Sequence, residues 1–324
     1  MPICTTCTAP IPHLYTVYQS SHNLRLHQCT HCGSFADPYV EHDLTIITLD
    51  LILLKPGVYR HLLFNRGSKP KRSDDDDDDE KNDDELLSQT AKDSSESAQE
   101  LAEIRTWTLL RLAVILTPID AYIRWSYRYH LPDSRSVSWS PSAANIFFRI
   151  LVGCIMETLA FHGGVTIASW IVLALLDKWS PHSKSSTRGN LMLKIHVPLV
   201  LFYSSLKKLF LLSLLSIWQQ SSNLSPVTNT ITNPAIPELI TNIPWAVSLY
   251  TIFDEDVLDR EWVIRNLLGG MAAGFGLRVA LDCNPYFITL IILFGWIAKT
   301  LMAFWLHGWV GDADDERWKV YSIP

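Results

Sequence analysis

Two close pairs of cysteines open the chain, Cys4-x2-Cys7 and Cys29-x2-Cys32. Thiolate pairs of this spacing can wrap one tetrahedral Zn2+, with each sulfur about 2.3 Å from the metal. Four thiolates fill the coordination shell, so the site would be structural and leave no position for a substrate water. His13, His22, His27 and His31 lie nearby, but nothing in their spacing demands them as ligands. The chain begins "MPICTTC", without the apolar stretch of a secretory signal ahead of the cysteines. The head is therefore expected in the reducing cytosol, where paired cysteines bind metal more often than they form disulfides.

Other candidate chemistry is sparse. His307-x4-Asp312 has the spacing of a membrane-acyltransferase acid/base pair, yet no further block completes a catalytic constellation. P-loop, nucleophile-elbow and dinucleotide signatures are missing from the sequence. A non-catalytic protein is expected. The net charge of −6 is misleading, because residues 68–100 hold thirteen acids against five Lys or Arg. The remainder is slightly basic but lacks the clustered basic face of a nucleic-acid binder.

The elements that must position the cysteines are short. Residues 1–40 read as a ribbon, with strand-like "HLYTVY" and "LRLHQC" between the cysteine turns. So small a ribbon has little core of its own. Directly behind it, Leu44, Ile47, Leu51, Leu54 and Val58 recur at helical spacing. Pro56 should break this helix and start a new one at its own position. The stripe either completes the ribbon core or lies in a membrane surface, with Lys55, Arg60 and His61 meeting anionic headgroups. Periodicity alone does not choose between these; with basic residues at its end, the stripe Leu51, Leu54 and Val58 is expected to work at the membrane surface and not only as ribbon core.

The rest is a membrane protein by composition. Hydrophobic residues make up 48% of the chain, 12 of its residues are Trp, and the apolar runs cluster after residue 104. The expected architecture is a mainly α membrane protein in four parts. A zinc-ribbon head with an amphipathic helix takes residues 1–65 and a disordered acidic linker 66–103. A helical membrane domain of three to five spans takes 104–311, and a short tail 312–324. Candidate spans are 107–125, 146–176, 191–218, a shorter glycine-rich 262–281, and 286–306. Lys178, Lys184 and Arg188 place one loop in the cytosol, whereas 219–253 has no Lys or Arg and is expected in the lumen. Gly270-x3-Gly274, with Ala273 and Gly276, reads as a close helix contact. Glu157 and His162, inside an apolar run, are candidates for a functional polar path.

The order "CTTC", "CTHC", "ADPYVEHD" and then "LLKPGVYRHLLFN" over 53–65 resembles the N-terminal homology domain of the Arv family. This chain departs from the family pattern at His42, at Thr48 and in its acidic insert. The resemblance implies a zinc-bearing, multi-pass protein of the endoplasmic reticulum, and also of the Golgi. It implies roles in sterol trafficking, sphingolipid metabolism and glycosylphosphatidylinositol (GPI) assembly. The implied partners are membrane lipids (sterol, sphingolipid, GPI precursor), and the alternative is a scaffold subunit of a GPI-synthesis enzyme. The residues expected to touch lipid or partner are Asp50, Lys55, Tyr59, Arg60, His61, Glu157 and His162.

Overall fold

The computed structural model describes residues 2–18, 23–68, 70–72, 83–129, 141–179, 189–222 and 263–310. The acidic run 74–80, most of both expected loops and Asp312 lie outside them.

The head is built from two matching cysteine turns. In the first, Cys4 N–H donates to Ala9 O and Thr8 N–H to Cys4 O; in the second, Cys29 N–H donates to Ser34 O and Gly33 N–H to Cys29 O. Each turn reverses through a left-handed residue, Thr8 at φ 64° and Gly33 at φ 71°. Glycine adopts this conformation without penalty, whereas a β-branched threonine does so at a cost of about 1–2 kcal/mol. Strand β1 (Tyr15–Val17) pairs antiparallel with β2 (Leu24–Leu26) and parallel with the short β3 (Lys71–Arg72). The ribbon core is only Cys4, Ile11, Leu14, Cys29 and Ala36, so two of its five buried residues are candidate ligands.

Helix α1 (Leu44–Ile52) and helix α2 (Pro56–Arg60) follow, and α2 runs on into a π-helical turn over His61–Asn65. Pro56 stands at the first position of α2, as its missing N–H and fixed φ predict. α1 ends in a Schellman motif: Leu54 N–H donates to Leu51 O and Lys55 N–H to Asp50 O. The left-handed position is Leu54, at φ 58°, rather than the usual glycine. Its side chain packs on the core, which offsets the strain.

Helices α3 (Asp83–Tyr129), α4 (Pro141–Trp179) and α5 (Gly189–Ser222) come next. A π-helical turn (Val263–Leu268) leads into α6 (Gly269–Leu281), and α7 (Pro285–Val310) closes the described chain. Among the described residues, four segments are long and apolar enough to cross a membrane: Gln99–Ser126, Ala143–Lys178, Ile195–Ile217 and Pro285–Leu306. The protein is thus a multi-pass, mainly α membrane protein with a small N-terminal sheet. The 262–281 candidate is not among these four: it is divided between the π-helical turn over Val263–Leu268 and the 13-residue α6. α3 spans Asp83–Tyr129 and so takes in residues 83–103 of the expected linker, a stretch free of Gly and Pro.

The chain forms two compact units. One comprises Met1–Leu116, Phe161–Lys207 and Ala272–Gly295; the other comprises Thr117–Ala160, Lys208–Met271 and Trp296–Pro324. Residues 1–65 thus share a unit with Phe161–Lys207 and Ala272–Gly295. The first unit joins Leu51, Val58, Tyr59, Leu62 and Leu63 to Leu199, Val200 and Tyr203 in one buried cluster. Gly276 on α6 lets this happen: a Cβ there would stand 2.7 Å from Val200 Cγ1 and 3.3 Å from Tyr59 Cε1. Gly163 on α4 faces nothing within 4 Å. Gly276→Ala should therefore lower the melting temperature of the detergent-purified protein, a loss of about 1–3 kcal/mol for overpacking. Gly163→Ala should leave it unchanged or slightly raised, and equal effects at the two glycines would refute this packing.

Candidate metal centre

The four cysteine sulfurs converge, all within 4.8 Å of one another. Cys4 and Cys32 sulfurs are 3.7 Å apart, and those of Cys7 and Cys29 are 3.6 Å apart. A tetrahedron with metal–sulfur bonds of about 2.3 Å has edges of about 3.8 Å, so this donor set fits Zn2+. Cys4 and Cys29 are buried and Cys32 is exposed.

Backbone amides aim at the sulfurs. The N–H of Ser34 holds the Cys32 thiol down at about 7. The amides of Cys32 and His31 lower the Cys29 thiol. At Cys7 the Ala9 amide also pulls downward, but burial and the three neighbouring sulfurs carry the thiol up to about 12. Four like charges cannot gather here unaided, whereas a divalent cation ionises coordinating thiols outright. The ligands would be Cys4, Cys7, Cys29 and Cys32, and their role would be to close the fold around the metal. His27 is engaged elsewhere, with Nε2 2.8 Å from Thr16 Oγ1.

The segment 49–65 locks this centre to the helices. Asp37 is fully buried. Its Oδ1 accepts from Tyr39 N–H at 3.0 Å, and its Oδ2 lies 2.7 Å from both His61 Nδ1 and Asn65 Nδ2. The Asn65 amide also pairs with both backbone groups of Ile3, accepting from its N–H and donating to its carbonyl, each at 2.8 Å. Arg60 Nη1 donates to Thr5 O at 2.7 Å and Thr6 O at 3.1 Å, inside the first cysteine turn. Tyr39 donates to Asp50 Oδ2 at 3.0 Å, and Lys55 reaches Asp50 Oδ1 at 2.7 Å. Burial and the Asp50 carboxylate push the Tyr39 hydroxyl up to about 12, which keeps it a donor.

These contacts place the candidate residues one by one. Arg60 and His61 bind the ribbon itself, and only Lys55 keeps half of its side chain in solvent, at 52%. Tyr59 is fully buried, edge-on to Phe275, and its hydroxyl is raised by desolvation. Leu51 and Val58, expected at a lipid surface, face inward instead. On α1 the exposed apolar row is Ile46, Leu49 and Leu53. Both faces of α1 are apolar, so spacing alone could not say which one is core. Glu157 and His162 diverge: Glu157 accepts from Arg124 Nη1 at 2.9 Å, while the His162 ring lies 4.4 Å from that of Phe202. Sequence reasoning missed Asp37 and Asn65, although both sit in the quoted "ADPYVEHD" and "YRHLLFN" stretches.

Two outcomes test the centre. The full-length protein should carry one zinc per chain, and Cys4→Ser or Cys29→Ser should lose it and expose residues 1–65 to protease. Retained protection without metal would refute a structural role. Asn65→Ala should strip partners from Ile3 and Asp37, at about 1–3 kcal/mol for each buried group left unpaired. It should accelerate zinc loss to a chelator while all four thiols remain, and an unchanged rate would show that the lock does not support the centre.

A profile of the Arv1-like family matches residues 3–236. Protein ARV1 of Saccharomyces cerevisiae is 28% identical over 229 residues, covering 57% of this chain and 65% of that protein. Protein arv1 of Schizosaccharomyces pombe is 52% identical over 63 residues, 19% of this chain and 24% of its own length. Protein ARV 1 of Arabidopsis thaliana is 28% identical over 216 residues, 67% of each chain. The matches thus span less than two thirds of either yeast relative. No solved structure matches. With a family match across most of its length, the chain belongs to the Arv1-like family.

Proposed function

We propose that this protein is a non-catalytic mediator of lipid homeostasis, resident in the endoplasmic reticulum membrane and also the Golgi, with its N-terminal head in the cytosol. Its task is the distribution of sterol, with effects on sphingolipid metabolism and delivery of a GPI precursor. Membership of the Arv1-like family supports the lipid assignment. A centre whose four thiolates complete the metal's coordination supports a structural rather than a catalytic head.

The observation that carries the reading is the two-faced helix α1. Ile47 and Leu51 pack inward, while Leu49 and Leu53 are 54% and 66% exposed on the other side. An exposed apolar row on a helix anchored by a metal-braced ribbon is suited to hydrocarbon or a sterol face. The exposed row equally suits a protein, which is the basis of a second reading: a scaffold subunit of a GPI-synthesis enzyme.

Reconstitution separates these. Vesicles containing the full-length protein should speed the movement of a fluorescent sterol or a labelled glycolipid between leaflets. Leu49→Asp combined with Leu53→Asp should slow that movement with zinc content unchanged. If the wild-type protein moves neither lipid but copurifies with a GPI-synthesis enzyme, and the double variant breaks that association, the scaffold reading replaces the transport one.

A further inference from the structure

The second compact unit gathers charge inside its apolar segments. The Asp120 carboxylate, on α3, is shared by three cations: Arg265 makes a very close contact, Lys208 Nζ lies at 3.5 Å and Arg124 Nη2 at 3.7 Å. Arg124 also holds Glu157 of α4 at 2.9 Å. Lys299 of α7 is within electrostatic reach of Glu157, but also of Arg124, Lys208 and Arg265. Gly269 makes room for the Lys208 stem, since a Cβ there would stand 3.3 Å from Lys208 Cδ. Gly270 admits the Trp296 ring, one turn before Lys299 on α7.

Among the described residues the charges do not balance. Arg124 and Arg265 are matched by Asp120 and Glu157, and this set of four is neutral. Lys208 and Lys299 are additional, and Lys299 has no carboxylate at ion-pair distance among the described residues. The donors do not balance either. Arg124 Nε and the amide nitrogen of Asn266, which is 3% exposed, are buried without an acceptor among the described residues. Uncompensated ammonium groups in an apolar segment are costly, and unsatisfied buried donors are rare enough to require an explanation. An apolar ligand such as a sterol ring satisfies neither demand. A ligand with two negative charges and several acceptor oxygens satisfies both.

We propose that this cluster binds a phosphate group, with the dianionic monoester of a lipid headgroup as the ligand. Arginine and lysine together suit it: arginine offers paired N–H donors to phosphoryl oxygens, and lysine adds a point charge. The proposal deepens the lipid reading by naming a lipid class, and it rests on that reading only for the source of the phosphate.

The test is direct binding to the full-length protein in neutral detergent. Phosphatidic acid should bind saturably, while phosphatidylcholine at the same mole fraction should not. Lys299→Gln should weaken phosphatidic acid binding by about thirtyfold or more, as expected for loss of one desolvated charge partner. Lys299→Arg should retain binding, and Lys178→Gln, a change at an exposed lysine outside the cluster, should have no effect. Because Lys299→Gln removes an unmatched cation, the ligand-free variant should melt no lower than the wild type. If inorganic phosphate alone binds and Lys299→Gln abolishes this, the phosphate site stands with the free ion as its ligand. If neither phosphatidic acid nor phosphate shows Lys299-dependent binding, the two lysines are held neutral and the proposal is overturned. Lipid movement in vesicles without such binding would sink this proposal alone. Binding without movement would sink only the transport reading.

Discussion

A single buried carboxylate holds the N-terminal half of the first unit together. Asp37 lies at the end of the ribbon, yet its partners His61 and Asn65 come from the helical segment 24 and 28 residues further on. Asn65 then reaches back to Ile3, at the other end of the ribbon. Beside this network, Arg60 ties down the carbonyls of the first cysteine turn. A polar group with no access to water must be matched in place, so this network fixes register as well as position. The four converging cysteines close the ribbon from one side, and Asp37 with Asn65 closes it from the other.

That arrangement changes the meaning of the apolar stretch behind the cysteines. It is not a free amphipathic helix appended to a folded ribbon. Its inner face is core, shared with Leu199, Val200 and Tyr203 of a membrane-spanning segment. His196 of the same segment stacks on Phe64 and lies 3.1 Å from the carbonyl of Leu63. The cysteine cluster, the helix behind it and the N-terminal part of the third spanning segment therefore belong to one compact unit.

Much of this was legible in the sequence where the information is local. The cysteine pairs, the helix start at Pro56 and the four long apolar segments each depend on residues close in the chain. The ion pairs were not legible, because Arg124 finds Glu157 33 residues away and Arg265 finds Asp120 145 residues away. No periodicity encodes such a partner. α1 failed for a different reason: Ile46, Leu49 and Leu53 are as apolar as Ile47, Leu51 and Leu54, so hydropathy cannot say which side is inside. The turn at Leu54 was hidden too, since a leucine in a left-handed cap carries none of the signal that glycine would.

The shared core also sets an order of events during synthesis. Leu63 meets His196 across 133 residues. Chains lengthen at about 5–20 residues per second, so the inner face of α2 waits on the order of ten seconds for the segment that covers it. The cysteine cluster can assemble in that interval, because all four cysteines and Asn65 precede the first spanning segment. The greasy face behind it has no such early partner. Through that interval each nascent molecule exposes an unfinished core, and the bilayer surface or a chaperone must shield it until α5 arrives.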